Sequence, residues 1–248
     1  MHARRTEGVR TGDTIDIDGG YQHRALTDGF VVQRFWHRLK TVTIERVAPP
    51  EPGMVVLDLG CGSGVVADWL ADRAGTVDAV DANLRAIGYA RRTFVRPNLS
   101  FHLATADALP FPDGRFDRIY VLEFIEHLYW GQLAALFARL RALLAPGGTL
   151  FLTTPNYRSL WPLLEGAMDR FGLAPHMEDE QHVSRPTPRL LRSLADASGF
   201  TVVRQGRFAG AAPFAAAVSW RLAEALDRAE HRLGSPLGSL LYALWRKP

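Results

Sequence analysis

The sequence of 248 residues has one cysteine, two lysines and no long apolar run. Cys61 alone cannot form a disulfide within the chain, and metal sites built on two cysteines are excluded. A reducing, cytoplasmic setting is therefore expected. Because no run of 18 apolar residues occurs, no spanning helix is predicted. Residues 1–13 carry charges without an apolar segment behind them, which is not the pattern of a secretory signal.

The excess of positive charge is small. The chain has 29 Lys+Arg against 26 Asp+Glu, a net charge of +3, and only Lys40 and Lys247 are lysines. This charge is spread along the chain rather than collected in a basic tail, so it does not favour nucleic acid as a partner. The length suits one α/β domain. We expect a flexible segment at residues 1–20 and one domain at residues 21–248.

Apolar runs typical of strands alternate with stretches of helical spacing. Strands are predicted at 54–59, 76–80, 99–103, 116–122 and 149–153, and helices at 21–47, 65–74, 84–95 and 132–144. A further helix, strand, helix and strand are predicted at 188–197, 200–207, 214–233 and 237–245. This order predicts an α/β fold of the Rossmann-like, doubly wound class. Its sheet has seven mostly parallel strands with helices on both faces.

A glycine-rich turn follows the first predicted strand of the domain. In VVLDLGCGSG (55–64), Gly60, Gly62 and Gly64 allow a tight turn and close approach of a ligand. A dinucleotide site looks similar, so this motif alone is a weak signal. The carboxylate of Asp58 at the strand end would repel a pyrophosphate and accept hydrogen bonds from an ammonium group.

Two more acidic residues follow the next strands. Asp81 ends the second strand, where a carboxylate can accept from both hydroxyls of a ribose. Asp107 follows the third strand and suits an adenine amino group. Because ligands of open α/β sheets bind at the carboxyl ends of the strands, three acids at successive strand ends form a strong constellation.

These motifs resemble those of class I S-adenosylmethionine-dependent methyltransferases. The matching segments are LDLGCGSG (57–64), VDAN (80–83), DALPFPDGRFD (107–117) and LAPGGTL (144–150). The resemblance covers residues 54–155 well and implies S-adenosylmethionine as the cofactor, but it does not identify the methyl acceptor. Its implied contacts are Arg34, Asp58, Gly60, Cys61, Gly62, Asp81, Ala82, Asp107, Ala108 and Leu122.

A Glu-x-x-Glu-His cluster follows the fourth strand, where the methyl group would be transferred. If the chain turns helical at Glu123, then Glu123, Glu126 and His127 share one face and could bind Mg²⁺ or another divalent cation. The alternative is that Glu126 and His127 only cap or pack.

The wider pattern resembles two groups of methyltransferases that use a metal. The ubiquinone-biosynthesis O-methyltransferases take the Glu-x-x-Glu-His residues as ligands, and the small-RNA 2′-O-methyltransferases add a later histidine. Carried over, the ligands are Glu123, Glu126 and His127, with His182 as a fourth. The chain lacks the second histidine of the RNA enzymes' His-x-x-x-His run, because Ser184 follows His182. Without metal, His127 or His182 would serve as general base, and we count Glu126 with them as a catalytic candidate.

The ends of the chain are expected to shape the acceptor site. Residues 21–50 form an N-terminal helical cover, and residues 156–186 and 208–235 form lid segments with aromatic side chains. They suggest a small, apolar or lipid-linked acceptor with a hydroxyl to methylate. The amphipathic stretch 214–233 also suits a homodimer contact or a peripheral contact at the inner face of a membrane. The alternatives are an RNA 2′-O-methyltransferase and an inactive, methyltransferase-like binding subunit.

Overall fold

The structure is a computed structural model that describes residues 18–159 and 183–248. In these residues one sheet of seven strands has the order β3-β2-β1-β4-β5-β7-β6. The strands are β1 (Val55–Leu59), β2 (Thr76–Asp81), β3 (Leu99–Leu103), β4 (Phe116–Leu122), β5 (Leu144–Pro155), β6 (Thr201–Phe208) and β7 (Leu240–Arg246). Strands β1 to β5 pair in parallel, and β7 runs antiparallel to both β5 and β6. The predicted fold class is confirmed.

Helices cover both faces of this sheet. The described helices are α1 (Tyr21–Thr27), α2 (Val31–Val47), α3 (Val65–Ala71), α4 (Leu84–Thr93), α5 (Trp130–Leu143), α6 (Pro188–Ala197), α7 (Ala212–Ala215) and α8 (Trp220–Leu233). A short 3₁₀ helix, Ile125–His127, follows β4. None of the described helices combines the length and apolar character needed to cross a bilayer.

The strands bury alternate residues on opposite faces, as a pleated sheet requires. On the first face Val56, Tyr120 and Phe151 pack with residues of α2, α3 and α4. On the second face Leu57 and Leu152 pack with residues of α5 and α6. The sheet is therefore buried between two apolar cores, which explains why its central strands read as continuous apolar runs.

Helix α2 is joined firmly to the C-terminal part of the chain. The ring of Phe35 packs edge-on against Trp220 with 4.9 Å between centroids, and Arg46 pairs with Asp227 at 2.7 Å. The hydroxyl of Tyr120 donates to the carbonyl of Ala48, 2.9 Å away. These contacts hold α2 against the first face of the sheet.

Two predicted helices are each divided in the structure, so those two predictions were wrong. The stretch 21–47 forms α1 and α2, separated at Gly29, where a β-carbon would lie 2.3 Å from the carbonyl oxygen of Ala25. The stretch 214–233 forms α7 and α8, and the side chain of Ser219 caps α8 by accepting from the N–H of Leu222. The apolar spacing continues across both breaks. Locally, however, Gly29 separates α1 from α2 and the cap at Ser219 begins α8.

Candidate functional site

The glycine-rich turn joins β1 to α3 at the carboxyl edge of the sheet. Gly60 and Gly62 have φ of 77° and 51°, the left-handed region that favours glycine. The N–H groups of Gly60 and Cys61 donate to the carbonyl of Val80, which ties the turn to β2. A β-carbon at Gly60 would lie 2.7 Å from the ring of Phe124. The turn therefore needs glycine at position 60 for its backbone angle and for its packing.

Asp58 lies under this turn and is almost completely buried, with 1% of its surface exposed. One carboxylate oxygen, Oδ2, is buried without a hydrogen-bond partner among the described residues. Burial, and then the nearby charge of Asp81, raise the pKa of Asp58 to about 7. A buried acceptor of this kind suits a cationic ligand group, as predicted for an ammonium.

Asp81 holds the turn in place from the end of β2. Its Oδ2 accepts from the N–H of Gly62 and its Oδ1 accepts from the N–H of Asn83, both at 2.8 Å. Asn83 in turn caps α4 by accepting from the N–H groups of Arg85 and Ala86. Each carboxylate oxygen of Asp81 has a second lone pair, so this structural role is compatible with the predicted contact to a ribose.

Gln22 of α1 covers the turn, a role the sequence patterns did not reveal. The N–H of Ser63 donates to Oε1 of Gln22 at 3.0 Å, and a β-carbon at Gly62 would lie 2.0 Å from the same oxygen. The expectation of an N-terminal helical cover directs attention to this segment, but helical spacing alone does not select Gln22.

The other predicted cofactor residues are placed as follows. Cys61 is buried in the turn, and burial is the main cause that raises the pKa of its thiol well above the usual value. Asp107 and Ala108 are exposed in the loop after β3, and Ala82 follows Asp81 directly. The carbonyl of Asp81 accepts from the N–H of Ala104, so this loop starts beside Asp81.

Two predicted contacts lie on other elements. Leu122 is half-buried at the end of β4, next to β1. Arg34 is exposed on α2, and its contact with the cofactor stays a prediction. The unpartnered oxygen of Asp58 and the turn at Gly60 and Gly62 fit the aminocarboxypropyl part of S-adenosylmethionine, so these residues fit the cofactor that the resemblance implies.

Glu123 follows β4 in an unusual backbone conformation, with φ of 50°. Its Oε2 pairs with the ammonium Nζ of Lys40 on α2 at 2.5 Å. Its Oε1 is buried without a hydrogen-bond partner among the described residues. A left-handed non-glycine residue with an unsatisfied carboxylate oxygen is a strained arrangement, which is typical of functional sites. The condition that the chain turns helical at Glu123 is not met.

Glu126 is almost completely buried in the 3₁₀ helix, with 1% of its surface exposed. Its Oε2 accepts from the hydroxyl of Thr154 at 2.9 Å, and its backbone carbonyl accepts from the N–H of Ser184. Burial, followed by the charge of Glu123, raises the pKa of Glu126 to about 8. Its burial and its bond to Thr154 hold this carboxyl group inside the fold.

His127 is half-buried at the end of the 3₁₀ helix, and its backbone N–H donates to the carbonyl of Phe124. His182 lies outside the described residues. Among the residues that are described, the His, Cys, Asp and Glu side chains form no group of three that could hold a metal ion. Glu123 pairs with α2 on the first face of the sheet, while Glu126 bonds Thr154. The described part of the predicted ligand set therefore does not fit a divalent cation.

Comparisons with known proteins match the chain to methyltransferases. Residues 32–205 match a family described as a methyltransferase domain. The chain is 32% identical over 162 residues to an uncharacterized methyltransferase of Synechocystis, covering 64% of this chain and 72% of that protein. It is 34% identical over 122 residues to a ubiquinone biosynthesis O-methyltransferase of Methylocella silvestris, covering 48% of this chain and 47% of that protein. The chain thus spans about half the length of this second relative.

A solved structure shows the same fold at low sequence identity. The S-adenosylmethionine dependent methyltransferase from Mesorhizobium loti superposes with a TM-score of 0.60 at 20% identity, covering 83% of this chain and 96% of that one. At this identity the likeness concerns the arrangement of strands and helices.

Proposed function

The chain belongs to the family of S-adenosylmethionine-dependent methyltransferases, and on that premise we propose that it methylates a hydroxyl group of a small, apolar or lipid-linked acceptor. One observation carries the proposal for the acceptor. Oε1 of Glu123 is a buried acceptor without a partner among the described residues, at the carboxyl end of β4. A ligand hydroxyl that donates a hydrogen bond to this oxygen would relieve the cost of leaving it unsatisfied.

The cofactor half of the site rests on Asp58 and the glycine-rich turn. Asp58 would receive the ammonium group, and Gly60 and Gly62 let the backbone approach the ligand. The bound cofactor supplies a methyl group already activated on a sulfonium. The protein must therefore align the acceptor and take up its proton.

We assign the uptake of this proton to His127. Of the described catalytic candidates, Glu126 is buried and bonded to Thr154. His127 lies at the same strand end and is half-buried. In the balanced reaction the acceptor oxygen gains the methyl group and the sulfonium becomes a neutral thioether. The hydroxyl proton leaves along its hydrogen bond to Glu123 and is taken up from there by the imidazole of His127.

The surroundings of Glu123 support an apolar or aromatic acceptor. Leu122 and Phe124 flank it in the chain, and both are partly buried hydrophobic residues. Lys40, its ion-pair partner, lies over the ring of Trp36 with Nζ 4.6 Å from the centroid. The O-methyltransferase name of the Methylocella relative is consistent with this acceptor class.

Helix α8 carries a surface suited to a lipid-linked acceptor. All three of its acids are engaged within the fold. Glu224 pairs with Arg38 at 3.1 Å, Asp227 pairs with Arg46, and Glu230 accepts from the N–H groups of residues 210 and 211. Its three arginines are exposed: Arg221, Arg228 and Arg232.

Apolar side chains lie beside these arginines. Leu222 and Leu233 of α8 are 52% and 82% exposed, and Val218 before it is 83% exposed. An outward face of arginine and apolar residues is typical of helices that lie on anionic lipid surfaces. Across a twofold dimer contact the same arginines would face one another and repel. We therefore propose that this face meets an anionic membrane surface.

A labelled methyl-transfer screen tests the proposal. Phenols, polyprenyl quinols, sugars and RNA are incubated with the protein and methyl-labelled S-adenosylmethionine. We expect transfer to phenols or quinols and none to RNA. Transfer only to RNA, with salt-sensitive binding, would support the 2′-O-methyltransferase alternative. Cofactor binding without transfer to any acceptor would support the inactive binding subunit.

A further inference from the structure

Lys40 reaches the acceptor end of the site from a different element. It lies on the inner side of α2, and only 12% of its side chain is exposed. Two contacts fix its position: Nζ lies 2.5 Å from Oε2 of Glu123 and 4.6 Å from the ring centroid of Trp36. A side chain held by a carboxylate and an aromatic ring is well ordered, so its charge has a defined place in the site.

The positive charge of Lys40 disfavours the binding of a second cation beside Glu123. The chain is a cationic protein in which only Lys40 and Lys247 are lysines among 29 basic residues. At this position it carries the compact ammonium, which presents three donors as a point charge, rather than the planar fork of arginine. A compact cation that donates hydrogen bonds to a buried carboxylate supplies one positive charge where a divalent cation would supply two.

The carboxylates of the Glu-x-x-Glu-His cluster are also drawn apart. Glu123 turns to Lys40, whereas Oε2 of Glu126 is occupied by the hydroxyl of Thr154. Thr153 and Thr154 are neighbours on β5 and point to opposite faces of the sheet, and Thr154 shares its face with the second apolar core. While Lys40 holds Glu123 and Thr154 holds Glu126, the two carboxylates do not close on one ion, and loss of Lys40 would free Glu123 to move toward Glu126.

We propose that the ammonium of Lys40 takes the place of a divalent cation at the Glu-x-x-Glu-His cluster, as a positioning residue that holds Glu123 for the acceptor, and that methyl transfer by this protein is independent of metal. The part of the inference that concerns the acceptor rests on the proposed function. The part that concerns the cation does not, because it follows from the contacts of Lys40, Glu123 and Glu126.

Binding of Mn²⁺ tests the cation site without any acceptor. The full-length protein is titrated with Mn²⁺ and followed by electron paramagnetic resonance. We expect no stoichiometric binding by the wild type. Lys40→Met should gain binding of one Mn²⁺ per chain, at least tenfold tighter than the wild type, because Glu123 then lacks its counter-charge. Lys40→Arg keeps the charge and should exclude Mn²⁺ as the wild type does.

Two further variants control this result. Lys247→Met removes the other lysine, whose Nζ donates to the carbonyl of Leu144 at the start of β5, and should not gain Mn²⁺ binding. Lys40→Met/Glu123→Gln removes both charges of the pair and should also not bind Mn²⁺. This double variant carries no uncompensated buried charge, and where Lys40→Met alone fails to fold, the Mn²⁺ titration and the chelator sensitivity of the wild type still test the proposal.

Turnover gives the second readout, with an acceptor from the screen. The wild-type rate should be unchanged in excess chelator. Lys40→Met should lose at least tenfold in rate, and Lys40→Arg should recover part of it. Tight Mn²⁺ binding by the wild type, or a chelator-sensitive rate restored by Mg²⁺, would overturn the proposal. A folded Lys40→Met protein with neither Mn²⁺ binding nor a loss of rate would overturn it too. Failure of every acceptor, with the Mn²⁺ results as expected, would count against the proposed function alone.

Discussion

Asp58 and Asp81 end neighbouring parallel strands, yet hydrogen bonds from the protein reach both oxygens of Asp81 and leave Oδ2 of Asp58 without a partner among the described residues. The charge of Asp81 also contributes to the raised pKa of Asp58, after burial. One acid therefore shapes the turn, and the other is left to a ligand. A cation bound at Asp58 would favour its ionised form.

The affinity for S-adenosylmethionine should depend on pH through Asp58. Because its pKa is about 7 without ligand, ammonium binding below that pH must displace a proton. The dissociation constant should rise by up to about tenfold for each pH unit below 7. Affinity should be highest between pH 7 and 8, since α-amino groups lose their proton above about pH 8. Calorimetric titration from pH 5 to 9 measures this, and in Asp58→Asn the slope below pH 7 should vanish together with most of the affinity.

The same residue should lower the stability of the ligand-free protein as pH rises. The pKa of Asp58 is raised from 3.8 to about 7, so the native state holds a proton that the unfolded chain releases. Stability from this group is present below about pH 4 and is lost as pH rises to 7. At about 1.4 kcal/mol per pKa unit, the loss is on the order of 4 kcal/mol. Urea unfolding measures the free energy of unfolding of the wild type and of Asp58→Asn. Between pH 4 and 8 the wild type should lose stability relative to the variant by an amount of this order. A pH-independent difference would contradict it.

Alanine at position 60 should lower the free energy of unfolding more than alanine at position 114, a glycine with a similar backbone angle that lies in open space. Gly60 has φ of 77° and a β-carbon there meets Phe124 at 2.7 Å, whereas Gly114 has φ of 71° with no atom within 4 Å. The backbone cost of about 1–2 kcal/mol applies to both, and overpacking adds about 1–3 kcal/mol only at Gly60. Chemical unfolding of Gly60→Ala and Gly114→Ala measures the gap. Equal losses of stability would show that the Phe124 contact yields easily.

The arginines of α8 should govern binding to anionic membranes. Replacing Arg221, Arg228 and Arg232 with glutamine removes charge near the surface worth about 1 kcal/mol for each residue. We expect binding to phosphatidylglycerol vesicles to fall by tenfold or more, with unchanged affinity for S-adenosylmethionine. Sedimentation with phosphatidylglycerol and with neutral phosphatidylcholine vesicles checks this. Wild-type protein that ignores anionic vesicles, or that dimerises through this face, would refute the assignment.

Much of the fold follows from local sequence patterns. Strands β1 and β2 are largely buried runs between turn signals, and the glycines and Asp58 of the first turn identify the cofactor edge by their types alone. Helix boundaries were less predictable. The apolar spacing continues through Gly29 and Ser219, so periodicity joins helices that a local break separates.

The long-range contacts of the site were the least predictable part because the residues that make them are distant in sequence. Gln22 and Lys40 reach Ser63 and Glu123 only once α1 and α2 pack on the sheet. The left-handed conformation of Glu123 is rare for a residue other than glycine. The helical turn there, on which the shared ligand face depended, had no sequence signal against it.

Identifying the atom that receives the methyl group tests the central claim most directly. Turnover with S-adenosylmethionine carrying a ¹³C-labelled methyl group, followed by NMR of the isolated product, identifies the atom that receives it. Our account predicts a methyl group bound to oxygen on a phenol or quinol. A labelled methyl group on nitrogen or carbon, or a cofactor that binds and is never consumed, would contradict it.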